Sequence, residues 1–211
     1  MSRGRLVTLE GGEGAGKSTV IAALRAHLAD AGIDVVVTRE PGGTAAGEAI
    51  RALVLDPALA LYAESELLLM FAARAQLVRE VIEPALAAGR WVLSDRYTDA
   101  SHAYQGGGRG QPAARIDALA AWAAPVSPDL TLLLDVGVAD GLARAGARGE
   151  ADRIEREEPS FFERVRASYR ARAAAEPERF RVIDASAPVD AVRSAACQAL
   201  DAFLFAAREQ R

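Results

Sequence analysis

One segment of the sequence has the residue types and the spacing that bind the phosphates of a nucleotide. Gly-Gly-Glu-Gly-Ala-Gly-Lys-Ser, from Gly11 to Ser18, matches the pattern G-x-x-x-x-G-K-[ST]. Its glycines let successive backbone N–H groups turn toward an anion, and the predicted helix that follows adds a positive N-terminal dipole. We expect Lys17 to contact a phosphate oxygen as a point charge and Ser18 to face Mg²⁺. The residues expected to hold the donor nucleotide are Gly11, Gly12, Glu13, Gly14, Ala15, Gly16, Lys17, Ser18 and Thr19.

Lys17 is the only lysine of the chain, which otherwise carries its positive charge on 24 arginines, and there is no asparagine. A chain without asparagine cannot contain the Asn-Lys-x-Asp motif that reads guanine, so a GTPase is excluded. The sequence has no ABC signature, and 211 residues are too few for an AAA+ module with its lid domain. A small phosphotransferase is the class that remains.

Composition is typical of a soluble globular protein, with 51% hydrophobic and 26% charged residues. The net charge of −4 and the pI near 5.4 argue against a nucleic-acid partner. No apolar run approaches the ~20 residues of a membrane span. A single cysteine, Cys197, and the lack of a visible signal peptide favour a reducing compartment. We therefore expect a cytoplasmic protein with no membrane partner.

Short apolar runs alternate with helical stretches along the chain. This alternation predicts a parallel sheet with helices on both faces. The predicted strands are residues 6–10, 34–38, 91–95, 130–136 and 180–184. The predicted helices are residues 17–31, 44–55, 65–88, 112–124, 139–147, 159–175 and 189–208, with a glycine-rich loop at 106–110. We expect residues 1–211 to form one three-layer α/β domain with a five-stranded sheet.

Five further features follow one another along the chain. They are Glu13 in the glycine loop, Thr38-Arg39-Glu40-Pro41-Gly42-Gly43-Thr44, Asp95-Arg96-Tyr97, Ala103-Tyr104-Gln105-Gly106 and Arg148-Gly149-Glu150-Ala151-Asp152-Arg153. Taken in this order, they resemble motifs of the thymidylate kinase family, in the bacterial form that carries arginines in its lid. The resemblance implies a P-loop kinase fold. It also implies transfer of the γ-phosphoryl group of ATP to dTMP, with Mg²⁺, to give dTDP for dTTP biosynthesis. Members of the family form homodimers, usually through the long helices on one side of the sheet.

The resemblance also implies that two arginines bind the acceptor phosphate. Arg96 follows the third predicted strand, at the edge of the sheet where ligands bind in open α/β folds. Arg51 lies on the second predicted helix, and two guanidinium forks suit the geometry of one phosphate. Asp95 resembles the acidic residue that places Mg²⁺ beside Ser18. Asp135, which also ends an apolar strand, is the rival candidate for the metal.

For the nucleoside, the resemblance assigns residues of the long helix to the base. Arg74 would reach thymine, and the family usually has an aromatic residue four positions earlier that stacks on the ring. That position is Met70 here and the aromatic residue is Phe71. Phe71 and Arg74 still share a helix face, so either Met70 or Phe71 could cover the base.

Other assignments concern the sugar and the edge of the base. By the same resemblance, Tyr104 would crowd the position of a ribose 2′-hydroxyl and so favour deoxyribose. Ser101 and Gln105 would contact the base, and Glu13 would accept a hydrogen bond from the 3′-hydroxyl. The expected substrate-binding residues are Glu13, Arg51, Phe71, Arg74, Arg96, Ser101, Tyr104 and Gln105.

A polar, arginine-rich stretch at residues 144–158 resembles the lid of the family. Close relatives have three alternating arginines in it, whereas this chain has Arg144 and Arg148 with Gly146 between them. We expect Arg148 and Arg153 to reach the transferred phosphoryl group, where an arginine contributes ~10³–10⁵ in rate in other phosphoryl-transfer enzymes. The expected catalytic residues are Lys17, Arg96, Arg148 and Arg153.

Two other functions remain open from the sequence. A different deoxynucleoside or nucleoside monophosphate kinase would use the same Asp95-Arg96 pair. A nucleotide-dependent switch would bind ATP and act through a partner, with no acceptor site. The arginines on several separate elements and the Tyr104-Gln105 pair favour the dTMP kinase.

Overall fold

The computed structural model describes residues 3–147 and 150–209. Within these ranges the strands are β1 (Leu6–Glu10), β2 (Val35–Arg39), β3 (Trp91–Asp95), β4 (Leu130–Asp135) and β5 (Phe180–Asp184). The helices are α1 (Lys17–Asp30), α2 (Ala45–Leu55), α3 (Ala63–Leu77), α4 (Glu83–Ala87), α5 (Thr98–Ser101), α6 (Ala113–Ala123), α7 (Val138–Gly146), α8 (Pro159–Ala175) and α9 (Val189–Glu209). π-Helical segments at Val78–Ile82 and His102–Gly108 continue α3 and α5.

The strands form one parallel sheet in the order β2-β3-β1-β4-β5, which confirms the predicted fold class. The register places Leu9 beside Asp95 and Glu10 beside Leu133. Because parallel strands all point the same way, the segments that follow them emerge at one edge of the sheet. The glycine loop after β1 and the Asp95-Arg96 pair therefore become neighbours.

Helices cover both faces of the sheet. Leu6 and Val7 are both fully buried, and as successive residues of a strand they face opposite sides. On the side of Val7, α1 and α9 contribute Leu24, Leu28, Ala196 and Leu200 to the core. On the side of Leu6, the long helix and its π-helical segment contribute Leu77, Val78 and Ile82. Among the described helices, none is both long and apolar enough to cross a membrane.

The glycine-rich segment after β3 differs from its prediction. Gly106, Gly107 and Gly108 belong to the π-helical segment rather than to a loop, and the short helix α5 before it was not predicted. A Cβ atom on Gly108 would lie 2.4 Å from the Phe161 ring, and one on Gly107 would lie 2.8 Å from Cβ of Ser168. These glycines therefore allow α8 to pack closely against the segment.

Candidate active site

A cavity of about 390 Å³ opens at the carboxyl edge of the sheet. Its walls come from the glycine loop, the ends of β2 and β3, helices α2 and α3, the π-helical segment after α5, and residues 150–155. These are the segments that contain most of the site residues predicted from the sequence. The cavity thus brings together elements that are far apart in the chain.

The glycine loop forms one end of the cavity. Gly14, Ala15, Gly16, Lys17 and Ser18 line it, whereas Gly11, Gly12 and Thr19 lie just outside its lining. The ammonium of Lys17 donates to the backbone carbonyls of Gly11 and Gly12, at 3.3 Å each. Burial lowers the pKa of Lys17. Gly16 caps α1 with a φ of 88°, which glycine adopts without strain.

Arg96 lies against this loop in a backbone conformation that is rare for a residue with a side chain. Its φ is 71°, and it is the non-glycine residue with positive φ in the described part of the chain. Nη1 donates to the carbonyl of Gly11 at 2.9 Å and to the hydroxyl of Tyr169 at 3.2 Å. Nη2 donates to Oε1 of Glu13 at 2.8 Å, and the guanidinium lies 4.6 Å from the centre of the Tyr104 ring.

The buried carboxyl group of Glu10 helps to hold Arg96 in place. Oε1 of Glu10 accepts from the backbone N–H of Tyr97, and Oε2 accepts from the hydroxyl of Tyr169, both at 2.7 Å. The first contact holds the backbone next to Arg96. The second holds the hydroxyl group that accepts a hydrogen bond from the Arg96 guanidinium. Burial raises the pKa of Glu10 to about 8. Sequence reasoning did not identify Glu10 or Tyr169, because their effect depends on packing between β1 and α8.

Two further arginines line the cavity near Arg96. Nη1 of Arg51 donates to the carbonyl of Pro41 at 2.9 Å, and Arg51 lines the cavity. Burial and the positive charge of Arg39 lower the pKa of Arg51. Arg39 pairs with Glu48 at 3.0 Å and was not assigned a role from the sequence, although it lies at the end of β2 inside a quoted motif. Three guanidinium groups therefore meet in a space that suits an anion.

Asp95 and Ser18 both line the cavity and supply the oxygen atoms that Mg²⁺ prefers. Oδ1 of Asp95 is buried and has no hydrogen-bond partner among the described residues. The rival Asp135 is paired with Arg166 through two hydrogen bonds of 2.7 and 2.9 Å and does not line this cavity. Within the described ranges no group of three His, Cys, Asp or Glu side chains could hold a metal by itself. This donor set fits Mg²⁺ bound through one carboxylate and substrate phosphates.

The two candidates for covering the base, Met70 and Phe71, lie differently with respect to the cavity. Met70 lines the cavity, whereas Phe71 does not. The Phe71 ring is buried with Leu67 and Ile116, and it lies 4.5 Å from the guanidinium of Arg74. The rotation of α3 turns the Phe71 side chain toward α6, which favours Met70 as the residue that covers the base, and the predicted contact of Phe71 with substrate stays a prediction.

Arg74 and Ser101 lie beneath the cavity wall instead of on it. Nε of Arg74 donates to Oε2 of Glu40 at 2.7 Å, Nη1 to Oγ of Ser101 at 2.9 Å, and Nη2 to the carbonyl of Tyr97 at 3.0 Å. Burial raises the pKa of Glu40, while the charge of Arg74 opposes that shift. Glu40 does line the cavity. In this structure Arg74 therefore supports Glu40 and holds Ser101, and the expected contacts of Arg74 and Ser101 with a base stay predictions.

Tyr104 and Gln105 reach the cavity as expected. The hydroxyl of Tyr104 donates to Oε1 of Glu13 at 2.7 Å, and its ring packs edge-on against Phe161 and Tyr169. The amide nitrogen of Gln105 donates to Oε1 of Glu66 at 2.9 Å. Both side chains are thus held by carboxylates, one on the glycine loop and one on α3.

Arg153, one of the two lid arginines predicted at the phosphoryl group, forms contacts with α2 and α3 in this structure. Arg153 does not line the cavity, since its Nε donates to the carbonyl of Val54 at 2.7 Å and its Nη2 to Oε2 of Glu66 at 2.6 Å. The buried carboxylate of Glu66 requires a cation, and Arg153 supplies one. Nη1 of Arg144 donates to the carbonyl of Ala185 at 2.8 Å. Arg148 lies outside the described residues.

Comparisons with known proteins agree with one another. A family model described as Thymidylate kinase matches residues 9–196. A thymidylate kinase from Methylobacillus flagellatus is 54% identical over 192 residues, which cover 90% of this chain and 94% of the relative. One from Alkalilimnicola ehrlichii is 55% identical over 205 residues, which cover 95% and 94%. The crystal structure of thymidylate kinase from Ehrlichia chaffeensis superposes with a TM-score of 0.79 at 32% identity, over 94% of this chain and 99% of that one.

Proposed function

We propose that ATP is the phosphoryl donor and Mg²⁺ the cofactor of this chain. It belongs to the thymidylate kinase family and phosphorylates dTMP to dTDP, a step of nucleotide biosynthesis that leads to dTTP. The observation that carries the donor and acceptor assignment is the distribution of cations. Lys17 and the glycine loop form one end of the cavity, and Arg39, Arg51 and Arg96 form the adjoining wall. The phosphates of ATP and the phosphate of dTMP can therefore meet in one cavity.

The donor end uses the backbone amides of residues 11–19 with the Lys17 ammonium. Ser18 and Asp95 would hold Mg²⁺, which when bound neutralises charge on the phosphoryl oxygens. The unpartnered Oδ1 of Asp95 supports this role.

At the acceptor end, Arg96 and Arg51 bind the phosphate of dTMP, and Arg39 adds a third positive charge. The second pKa of a phosphate monoester is ~6, so the acceptor oxygen is largely ionised at neutral pH and needs no general base. Catalysis then consists of positioning and of charge stabilisation around the transferred group. The contacts of Arg96 with Gly11, Glu13 and Tyr169 hold it in place before substrate binds.

The nucleoside occupies the remainder of the cavity. Met70 and Ala100 supply apolar surface for the base, and Gln105 supplies an amide at its edge. Tyr104 excludes a 2′-hydroxyl group, and the carboxylate of Glu13 accepts from the 3′-hydroxyl. Arg148 remains our proposed lid arginine at the phosphoryl group, whereas Arg153 anchors the lid to α2 and α3.

We propose a homodimer in the cytoplasm, formed through α2 and α3. Leu53 is 49% exposed, Leu68 is 59% exposed and Tyr62 is 83% exposed. Leu53 lies on α2, Leu68 lies on α3 and Tyr62 directly precedes α3, whereas Leu67 and Phe71 face the core. The mass of the protein in solution, measured by light scattering, tests this proposal, and a monomer at micromolar concentration would reject it.

The experiment that tests the function is a product assay with purified protein, ATP and Mg²⁺. We expect ADP and dTDP in equal amounts when dTMP is present, and little ADP without it. A parallel series with dUMP, dCMP, dGMP and dAMP separates this assignment from another monophosphate kinase. ADP release that does not depend on any monophosphate would instead favour a nucleotide-dependent switch.

A further inference from the structure

Glu66 on α3 is a buried carboxylate next to the cavity that the proposed mechanism does not use. It is 1% exposed, and three side chains donate to it. Gln105 donates to Oε1, Arg153 to Oε2 and Nε of Arg109 to both oxygens, at 3.3 and 3.2 Å. Burial opposes the ionisation of Glu66, but the hydrogen bonds from Gln105, Arg109 and Arg153 outweigh it and lower its pKa. Glu66 is therefore a carboxylate that is charged at neutral pH.

An ionised carboxylate accepts hydrogen bonds and cannot donate them. Gln105 can satisfy Oε1 of Glu66 only with its NH₂ group, so the chemistry of Glu66 decides which way the amide is turned. Oε1 of Gln105 is left as an acceptor, buried and without a hydrogen-bond partner in the part of the chain that the structure describes. An unpaired buried acceptor is costly, and a ligand that donates to it removes that cost.

The surroundings of Gln105 indicate which part of the substrate meets this acceptor. In the proposed function the cationic wall and the glycine loop take the phosphates. The apolar lining that remains for the base includes Pro41, Leu55, Met70, Ala100 and Ile154, and Gln105 belongs to the same lining. Among the described residues that line the cavity, Gln105 is the only one with an amide side chain. Thymine presents an N–H donor at N3, whereas cytosine has an unprotonated acceptor there.

We propose that Glu66 is a positioning residue that sets the base specificity of the enzyme by turning the carbonyl oxygen of Gln105 toward N3 of the base. The inference rests on the proposed function, since it assumes that the base lies beside Gln105. A thymine N3–H then completes the hydrogen bonding of Gln105. A cytosine would place two acceptors against each other, and Gln105 cannot rotate to donate without breaking its bond to Glu66.

The test is the variant Glu66→Gln with two matched substrates, dTMP and 5-methyl-dCMP. The two keep the same methyl group and sugar and differ at position 4 and in the proton at N3. A glutamine at position 66 can either accept from Gln105 or donate to it, so the amide of Gln105 becomes free to turn. We expect kcat/KM for 5-methyl-dCMP to rise by about tenfold or more, while kcat/KM for dTMP changes less. A damaged fold would lower both values and cannot produce this gain.

Arg109→Gln is the matched control. It removes another donor from the same carboxylate but leaves the bond between Glu66 and Gln105, so we expect the ratio of the two kcat/KM values to stay within about twofold of wild type. Glu66→Asp is the second variant if Glu66→Gln does not fold. It keeps the negative charge that pairs with Arg109 and Arg153 but withdraws the carboxylate from Gln105. We expect the ratio of kcat/KM for dTMP to that for 5-methyl-dCMP to fall, as in Glu66→Gln.

A folded Glu66→Gln or Glu66→Asp enzyme that keeps the wild-type ratio would overturn the proposal, as would a ratio that moves equally in Arg109→Gln. Failure of the proposed function has a different signature, because the wild-type enzyme itself would then leave dTMP unconverted.

Discussion

Oε1 of Glu13 accepts from Nη2 of Arg96 at 2.8 Å, which joins the glycine loop to the residue that follows β3. The hydroxyl of Tyr104 donates to the same oxygen at 2.7 Å, and its ring lies 4.6 Å from the guanidinium. Burial acts against the charge of Arg96, but Tyr104 and Glu13 favour it, and its pKa lies well above its usual range. Glu13, Arg96 and Tyr104 therefore form one unit on the wall of the cavity, and the acceptor site depends on all three.

Tyr104→Ala should relax the discrimination against ribonucleotides. Removal of the ring opens the space that a 2′-hydroxyl would need. We expect the ratio of kcat/KM for dUMP to that for UMP, which differ only in this group, to fall by about tenfold. Tyr104→Phe is the control, because it keeps the ring and loses only the bond to Glu13. An unchanged dUMP/UMP ratio in Tyr104→Ala would show that the ring does not exclude the hydroxyl.

Tyr169→Phe should weaken the binding of dTMP without weakening that of ATP. The variant removes the hydroxyl group that accepts a hydrogen bond from Nη1 of Arg96 and donates one to Glu10. We expect KM for dTMP to rise by about five- to tenfold, since one hydrogen bond to a charged group is lost. KM for ATP is the internal control, and an equal rise in both values would indicate a general disturbance of the site.

Lys17→Arg should remove most of the activity and leave the fold intact. The charge is kept, but a planar guanidinium does not fit where the Lys17 ammonium lies 3.3 Å from the carbonyls of Gly11 and Gly12. We expect kcat to fall by about a hundredfold or more. Circular dichroism and the melting temperature check the fold, and turnover near the wild-type level would contradict the assignment.

Asp95→Asn should raise the concentration of Mg²⁺ at half-maximal activity by about tenfold or more, because a carboxylate ligand becomes a neutral amide. Asp135→Asn is the matched control. Asp135 is paired with Arg166, so its loss should lower the melting temperature and leave the Mg²⁺ requirement unchanged. The opposite pattern would assign the metal to Asp135.

The strands and the glycine loop could be predicted from the sequence because each depends on local pattern. β1, β3 and β5 have the predicted boundaries, and α8 has them too. These segments are continuous apolar runs or have clear end signals, so tertiary packing does not change where they begin and end.

The roles of side chains within the long helix could not be predicted in the same way. Met70 and Phe71 are adjacent, and which of them faces the cavity depends on a rotation of α3 that its contact with α6 determines. The guanidinium of Arg74 is buried, and each of its three nitrogen atoms donates a hydrogen bond, to Glu40, Ser101 and Tyr97. Arg153 was predicted at the phosphoryl group from the resemblance of its segment to the family's lid, whereas in this structure its Nη2 lies 2.6 Å from Oε2 of the buried Glu66. Such pairings join residues that are far apart in the chain and leave no local signal.

The proposed function depends on the binding of the dTMP phosphate to the Arg96 wall of the cavity, beside the donor phosphates. A crystal structure of the complex with ADP, Mg²⁺ and dTMP would show whether it binds there. We expect the dTMP phosphate within about 3 Å of the Arg96 guanidinium, with the diphosphate of ADP wrapped by residues 11–19. Density for dTMP at another place, with no anion on Arg96, would contradict it.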